Sequence, residues 1–572
     1  MSPAKRHNIT GPVWLLLFLL LALPATRVAG SNVMSRFATA VQAIDLGDLD
    51  LGPYAKRTND AAVYDGRVYS DKAPGVTLAL MPAYFLVRPL GLPFDAARHL
   101  CRLLTLTLFT LLTMRQLNRR LPQLGVEPLM AAATVAAYGV GTVAYPYFFM
   151  LYGHGFAANA VTLGVLYLIA YRREPEKLDA LALSGFFFGL AILFEYPTAL
   201  LGLFAGLYLL TFERRLGRVA AFAALGALLP LAVIGAYNLA AFGAPFRFGY
   251  DLAKKDAHYT AAMASGFMGI GRPTLGNLLL LTFSPSKGLF FWSPLLLLGA
   301  AGLGPTIRRQ PREGWLLAAM AAGYLALFAG YFEAGGGACL GPRHVTPIIG
   351  PLLLAGALFA SGAKPLWRGA YLGLAVLSSL LVWAGAFSDP QMQDRLVNPL
   401  WDFAAPMLRE GIGPGNLLGL PDRVATGLAL ALLLAVWAGV LFAVRREEPP
   451  ARRQLSLAAG GWLAAGLIFY LGVTPLLPRT EPGLVHQILG NHFVLQKNFA
   501  RAAEEYETAW TTRKDPWILY YQAKAYRHLG DEARATATLE KLAAADPAIL
   551  PPAETKGEAD SPPEPVAGGG QP

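Results

Sequence analysis

The sequence predicts an all-α integral membrane protein of about 13 transmembrane helices, with a large first outward loop and a small C-terminal helical-repeat region. Of its 572 residues, 55% are hydrophobic and only 15% are charged, whereas soluble domains carry about a quarter charged residues. Apolar runs approaching the roughly 20 residues that a membrane helix needs recur along most of the chain. Most of the protein is therefore expected to lie in lipid.

The expected spans form two groups along the chain. Seven lie near residues 12–29, 98–114, 128–149, 156–171, 179–194, 197–212 and 218–241, and six near 288–304, 315–332, 345–361, 367–386, 425–443 and 456–474. A further stretch, Val76 to Leu90, is short and contains two prolines and an arginine, so an interfacial or re-entrant helix is expected there. The first run has a second interpretation as a cleaved signal peptide, since Lys5 and Arg6 precede it and small residues follow it.

Basic residues cluster in the short loops that follow the even-numbered spans. The clusters are Arg115, Arg119 and Arg120; Arg172, Arg173 and Lys177; Arg214, Arg215 and Arg218; Arg308, Arg309 and Arg312; Lys364 and Arg368; and Arg445, Arg446, Arg452 and Arg453. Such loops mark the cytoplasmic face. The N-terminus is then cytoplasmic and the C-terminus periplasmic or otherwise outside a bacterial plasma membrane, with outward loops at 31–75, 243–287 and 387–424. Because topology explains the net charge of +11, no nucleic-acid partner is expected.

The chain divides into a membrane domain, residues 1–480, an outward helical region, 481–548, and a tail, 549–572, whose Pro, Gly and Glu content predicts disorder. Pro482 and Pro516 are 34 residues apart, and Leu489-Gly490 recurs as Leu529-Gly530. These features resemble tetratricopeptide repeats, which implies paired helices and a surface for a protein partner. A helical hairpin without that specialisation is the alternative.

The first outward loop holds the densest group of ionisable residues. Residues 32–44 place apolar side chains at helical spacing, which predicts a helix along the membrane surface. Six aspartates follow between residues 45 and 71, interleaved with tyrosines and leucines. A solvated loop explains any single aspartate, but the interleaved apolar residues favour a packed loop. Ionisable groups held at a membrane face are functional candidates.

Several short motifs carry a family resemblance that covers roughly residues 10–480. They are Ser35-Arg36-Phe37, Gly47-Asp48, Lys72 before Pro74, Tyr237-Asn238, Phe242-Gly243-Ala244-Pro245, Ser284 to Phe290, and Gly341-Pro342-Arg343-His344. The order of these motifs resembles the GT-C superfamily of membrane glycosyltransferases, which includes protein mannosyltransferases and aminoarabinose transferases, and in particular a bacterial family-39-like branch. The resemblance implies a polyprenyl-phosphate sugar donor and an envelope lipid, glycan or protein acceptor on the outer face.

The resemblance also implies roles for particular residues. The family's acid after the first span falls at Ser31-Asn32, which carries none. The expected catalytic carboxylates are therefore other acids of the same loop, in the order Asp60, Asp71 and Asp50. A carboxylate suits this role because it takes the proton of an acceptor hydroxyl as the glycosidic bond forms.

The expected substrate-binding residues begin with Lys72, which would contact the lipid phosphate. Arg343 adds a bidentate phosphate contact or is an ordinary interfacial anchor. The others are His344, Tyr69 and Asn32. His154 and Glu195 lie at outward ends of spans, where helix caps or structural partners are favoured over substrate ligands. No zinc or calcium motif occurs, so a divalent cation is left open.

Two other functional classes remain at this stage. A transporter or flippase of a lipid-linked glycan would need paired broken helices, often visible as an internal repeat, and none is evident in the sequence. A catalytically inactive scaffold that presents the helical repeats is the second class, and the missing acid at Asn32 favours it.

The charge pattern gives a first prediction, on topology. A reporter fused after Gln123 should report the cytoplasm, and one fused after Pro482 should report the outside, because positive loops stay inside. Reporter activity and alkylation of introduced cysteines measure both positions. An outside signal at Gln123 would mean that Val76 to Leu90 crosses the membrane.

Overall fold

The structure is a computed structural model that describes residues 9–27, 29–253 and 257–546. These residues form two compact units. The first unit spans the chain to Met392 and then Met407–Thr474, and the second combines Gln393–Pro406 with the chain from Pro475 onward. Lys5, Arg6 and the tail 549–572, which entered the sequence predictions, lie outside the described residues.

Seven helices in the described part of the chain are long and apolar enough to cross a membrane, which confirms an integral membrane protein. They are Phe94–Leu124, Gly153–Arg173, Leu216–Phe242, Arg343–Ser361, Pro365–Ser388, Asp422–Arg445 and Pro449–Leu476. Shorter apolar helices are Gly11–Ala22, Gly75–Leu90, Pro128–Val140, Leu178–Phe194 and Tyr196–Leu210. Each of the 13 expected spans overlaps a helix, but the count of 13 crossings stays a prediction.

Further helices complete the first unit. They are Tyr145–Phe149, Ala257–Ala264, Leu275–Thr282, Leu289–Trp292, Leu295–Arg309 and Pro311–Ala329, with Ala405–Glu410 at its boundary with the second unit.

The first expected span, 12–29, is wrong in its second half. The helix is only Gly11–Ala22, because Pro24 lacks the N–H that a continuing helix needs. The chain beyond it is extended. The Ala25 N–H donates to the Gly415 carbonyl at 3.2 Å, and the Arg27 N–H donates to the Pro414 carbonyl at 3.1 Å.

The segment predicted as the first outward loop, residues 31–75, is an ordered substructure. It contains the helix Ser31–Leu46, a 3₁₀ turn Gly52–Arg57, and strands Ala61–Tyr64 and Arg67–Ser70, and the helix Gly75–Val87 follows it. The strands pair antiparallel from Ala61↔Ser70 to Tyr64↔Arg67. Their two-residue turn, Asp65-Gly66, has positive φ at both positions, which is the backbone that a tight hairpin requires.

The predicted surface helix is present as Ser31–Leu46, but both of its faces are buried. Besides its apolar side, it buries a polar side that includes Ser35, Arg36, Thr39 and Gln42. The Ser35 hydroxyl donates to the Ser70 hydroxyl at 2.6 Å, and the Gln42 amide donates to the Leu51 carbonyl at 3.2 Å. Buried polar groups need such partners. These bonds tie the hairpin to the helix.

The second unit is built from two helical hairpins. Its helices are Pro482–Leu495, Phe499–Thr512, Pro516–His528 and Glu532–Ala545. Asn498, Asp515 and Asp531 each cap a following helix through the side chain, as such residues do at helix starts. The tetratricopeptide assignment of these hairpins stays a prediction.

A buried carboxylate joins Gln393–Pro406 to the start of these hairpins. Asp402 is 2% exposed and accepts hydrogen bonds from the Thr480 N–H at 2.9 Å and the Thr480 hydroxyl at 2.5 Å. It also pairs with Arg479. Phe403 meets the His492 ring edge-on, with centroids 5.6 Å apart.

The helix packing of the second unit gives a second prediction. A Cβ at Gly490 would lie only 2.7 Å from the Tyr506 ring, so Gly490→Val should destabilise the first hairpin by about 1–3 kcal/mol. Limited proteolysis of the purified full-length protein measures the effect. Gly530→Ala is unsuitable as a control because Gly530 has φ +74°; Ala537→Ser on the exposed side of the last helix serves instead. Equal protease resistance in the valine variant would contradict the packing.

Candidate functional site

A buried lysine between two carboxylates lies at the end of the first outward loop. The Lys72 ammonium is 3.2 Å from an Asp60 oxygen and 3.3 Å from an Asp71 oxygen. Asp71 is 1% exposed, and the Lys72 nitrogen lies 5.5 Å from the centre of the Tyr250 ring. We call Lys72, Asp60, Asp71 and Tyr250 the lysine cluster.

Backbone geometry brings the parts of the lysine cluster together. Asp60 immediately precedes the first strand and Asp71 immediately follows the second, so the pairing of the strands brings these carboxylates to one end of the hairpin. Gly249 packs on the Asp71 backbone, where an added Cβ would lie 2.7 Å from the Asp71 Cα. That close approach delivers Tyr250 to Lys72.

The electrostatics favour a charged lysine. Burial lowers the pKa of Lys72, but the carboxylates of Asp60 and Asp71 outweigh burial and hold the pKa well above its usual range. Burial raises the pKa of Tyr250, which keeps that phenol neutral beside the ammonium. The lysine cluster is therefore a desolvated cation with its counter-charges.

A second group of charges surrounds Arg36, which is 1% exposed. Its guanidinium donates to a Glu195 oxygen at 3.1 Å and also to the Asn32 amide oxygen. The same Glu195 oxygen lies 3.7 Å from the His154 Nδ1. We call Arg36, Asn32, Glu195 and His154 the arginine cluster. Burial raises the pKa of Glu195, against the lowering effects of Arg36, Arg343 and Lys72.

Arg343 and His344 form the third part of the site. The Arg343 guanidinium lies over the Tyr152 ring at 5.7 Å, and its Nε is buried without a hydrogen-bond partner. His344 stacks on Phe328 with ring centroids 4.9 Å apart and meets His154 edge-on at 5.2 Å. Among the described residues, the Arg343 side chain makes no hydrogen bond or ion pair, while its carbonyl accepts a hydrogen bond from the Thr346 hydroxyl.

Long-range charge effects join the three groups into one site. Burial raises the pKa of Tyr152 to about 12, and the charges of Arg343, Asp60 and Arg36 all act on that phenol. Lys72 and Arg343 likewise act on Glu195. The region is sheltered from water, where charges interact more strongly than in solution.

A buried lysine also holds the loop that leads to Arg343. Lys287 is 3% exposed, and its ammonium donates to the carbonyls of Gly337 and Cys339 at 2.6 and 2.8 Å. These bonds fix the glycine-rich segment 335–337, whose Gly336 lets the Arg343 side chain pass within 3.0 Å of where a Cβ would be.

The structure brings together most of the predicted site residues, but not all. Asp60, Asp71, Lys72, Arg343, His344 and Asn32 belong to the groups above. Asp50 instead pairs with Arg67 at 3.3 Å. Tyr69 packs edge-on against Phe242, with centroids 5.7 Å apart, in a small apolar core; its role in substrate binding stays a prediction.

Five members of the site were not predicted as functional from the sequence: Arg36, His154, Glu195, Tyr250 and Lys287. All but Arg36 lie far along the chain from the first loop. A lysine in the Ser284 to Phe290 motif was the available signal for Lys287, and an acid at the outward end of a span was the signal for Glu195. Within the described residues no group of three His, Cys, Asp or Glu side chains is arranged to hold a metal ion.

Two small cavities in the described residues lie elsewhere. One of about 60 Å³ is lined by Val13, Leu129 and Val440 among others. The other, of about 150 Å³, is lined by Thr306, Arg309 and Gly362 among others, near basic residues of the predicted cytoplasmic side. Neither contains a residue of the three groups, so the site is defined by its charged side chains.

Comparison with known proteins gives two similar solved structures. No protein-family model matches the chain, and no curated protein does. ArnT from Cupriavidus metallidurans in the apo state is 15% identical, with a TM-score of 0.42, and the match covers 84% of this chain and 78% of that one. The same protein bound to undecaprenyl phosphate is 16% identical, with a TM-score of 0.42, and the match covers 85% of this chain and 78% of that one. With TM-scores below 0.5, neither likeness assigns a residue or a reaction to this chain.

The loop lysine gives a third prediction. Lys287→Met should lower the stability of the protein by about 1–3 kcal/mol for each carbonyl left without a partner, because Gly337 and Cys339 both lose a donor. Thermal unfolding in detergent measures the loss. Lys177→Met is the control, since that lysine pairs only with an exposed Glu174. An unchanged midpoint in Lys287→Met would contradict the loop-holding role.

Proposed function

We propose that this protein is a membrane glycosyltransferase of GT-C type that transfers a sugar from a polyprenyl-phosphate donor to an envelope lipid, glycan or protein acceptor on the outer face of the membrane. The observation that carries the proposal is that the site holds two cations: Lys72, which lies between two carboxylates, and Arg343, whose Nε is buried without a hydrogen-bond partner.

Both cations suit a phosphodiester. A lysine ammonium binds phosphate as a point charge, and an arginine presents a planar fork that matches two phosphate oxygens. Leaving a guanidinium half-buried without a partner costs free energy, and an anionic ligand would recover that cost. Tyr152 beneath Arg343 orients the fork through a cation–π contact.

The carboxylates of the lysine cluster would act on the donor through Lys72. Asp60 and Asp71 hold the Lys72 ammonium in place, and this preorganised charge would stabilise the phosphate as it leaves. The role of Asp60, Asp71 or Asp50 as the base stays a prediction. Of the three, Asp50 lies against Arg67 and away from the lysine.

The transfer is a single displacement at the anomeric carbon. The acceptor oxygen forms a bond to that carbon, the bond from the carbon to the phosphate oxygen breaks, and polyprenyl phosphate leaves with the electron pair. A base takes the acceptor's hydroxyl proton. Lys72 and Arg343 balance the charge that develops on the leaving phosphate.

The helical hairpins of the second unit add a second role, that of binding a protein partner or acceptor. Their paired helices have the small-residue packing at Gly490 that such repeats use. The proposed location of these hairpins outside the membrane rests on the charge pattern of the loops.

The fourth prediction tests the function. Purified protein in detergent, given a panel of polyprenyl-phosphate hexoses and pentoses, should release polyprenyl phosphate and transfer the sugar. Lys72→Ala and Arg343→Ala should chiefly raise the KM for donor, because they remove phosphate contacts. If a loop carboxylate is the base, Asp60→Asn should lower kcat by about 100- to 10,000-fold.

Asp48→Asn is the matched control, because Asp48 lies in the same loop but pairs with Arg67. It should transfer at the wild-type rate. Mass spectrometry of envelope glycans from a deletion strain identifies the sugar and acceptor. No transfer by the wild-type protein with any donor would contradict the proposal and favour an inactive scaffold.

A further inference from the structure

We propose that Glu195 is the base that takes the acceptor's proton. This inference rests on the proposed function, and it assigns the proton transfer to the arginine cluster rather than to the lysine cluster. It begins from where the leaving phosphate must lie.

In a direct displacement, the leaving group and the base lie on opposite sides of the anomeric carbon. The acceptor attacks the anomeric carbon from the face opposite the phosphate, and in inverting glycosidases the two carboxyl groups on these opposite sides are about 6.5–9.5 Å apart. Asp60 and Asp71 both contact the Lys72 ammonium within 3.4 Å. They therefore lie on the phosphate side, which is the wrong side for the base.

Glu195 lies in the same site without touching Lys72. Among the described residues, its ion-pair partners are Arg36 at 3.1 Å and His154 at 3.7 Å. The His154 ring in turn meets the ring of His344, the chain neighbour of Arg343, with centroids 5.2 Å apart. Packed side chains therefore link the carboxylate to the Arg343 part of the site, while its own ion pairs are with residues other than the two phosphate-binding cations. That placement is what the opposite face of the sugar requires.

The surroundings of Glu195 hold it in position. Its carboxyl group lies at the first residue of the helix Gly153–Arg173, where an added Cβ on Gly153 would come within 2.9 Å of the Glu195 Cδ. The start of a helix favours a negative charge, and Arg36 fixes one oxygen. Both the Arg36 and the His154 contacts are made by the same Glu195 oxygen.

The raised pKa of Glu195 suits a base. Burial raises the pKa of Glu195 above its ordinary 4.5, and a higher pKa makes a carboxylate a stronger proton acceptor. In the reaction the hydroxyl proton moves to a Glu195 oxygen, the acceptor oxygen bonds to the anomeric carbon, and the phosphate departs toward Lys72. The proton leaves Glu195 when the product has gone.

The fifth prediction compares Glu195→Gln with Asp60→Asn. Wild-type kcat/KM should fall on the acid side of a pH profile, at a pH above 4.5, because protonated Glu195 cannot accept a proton. Glu195→Gln should lower kcat by about 100- to 10,000-fold. Its pH profile should lack the fall at acid pH, which we call the acid limb, and its binding of undecaprenyl phosphate should be unchanged. Asp60→Asn should keep the limb.

Two further variants show whether a loss of activity in Glu195→Gln comes from a folding defect. Glu313→Gln removes an equally buried carboxylate paired with Arg172 and should leave kcat unchanged. Asn32→Asp with Glu195→Gln returns a carboxylate to Arg36, and should transfer with the acid limb moved to lower pH, since aspartate has a lower ordinary pKa than glutamate.

The outcomes separate the inference from the function. Wild-type protein that transfers sugar, together with a Glu195→Gln variant within about tenfold of its rate, would overturn the role of Glu195 alone. So would an acid limb that survives in Glu195→Gln or stays unmoved in the double variant. Inactive wild-type protein would instead overturn the proposed function.

Discussion

The burial of Lys72 is the constraint on which the rest of the site depends. An ammonium out of contact with water is costly unless counter-charges are in place. Asp60 and Asp71 supply them only if the two strands of the hairpin stay in register. That registration depends in turn on the Ser35–Ser70 hydrogen bond and on the helix beneath it. One charge thus requires the ordered fold of the whole first outward loop.

The same requirement extends to distant parts of the chain. Arg36 is buried on the helix that supports the hairpin, and its carboxylate partner, Glu195, is 159 residues away. Removing one partner of such a buried pair leaves an uncompensated charge, which is strongly destabilising. Segments that are remote in sequence are therefore held together by charge pairing, as well as by apolar packing.

Sequence reasoning reached the local features of this protein and missed the distant ones. Hydrophobicity predicted a stretch that overlaps a helix at each of the 13 expected spans, and the lysine before Pro74 indicated a charged residue at the end of the loop. Pro24 ends the first helix, and the span predicted at 12–29 from hydrophobicity alone did not take this proline into account. Asp50 is separated from the lysine cluster because it pairs with Arg67. Arg67 lies beside the Asp65-Gly66 turn, at the opposite end of the hairpin from Asp60 and Asp71, and the turn sets this register.

No periodicity in the sequence reports that Glu195 approaches Arg36, since the contact arises from tertiary packing of separate helices. The polar face of the helix Ser31–Leu46 shows the same limit. Ser35, Thr39 and Gln42 alternate with apolar residues as they would on a solvated face. Only the hairpin and the neighbouring loop, which supply their hydrogen-bond partners, explain why these side chains are buried.

In the proposed mechanism, the charge arrangement would couple donor binding to proton transfer. Lys72 and Arg343 lower the pKa of Glu195 in the ligand-free protein, in opposition to burial. A phosphate bound to those two cations would neutralise much of their effect, and displacing water would strengthen the effect of burial. The pKa of Glu195 would then rise further when the donor is bound. A carboxylate that becomes more basic only beside a bound donor would be best prepared to take a proton when a sugar is in place to be transferred.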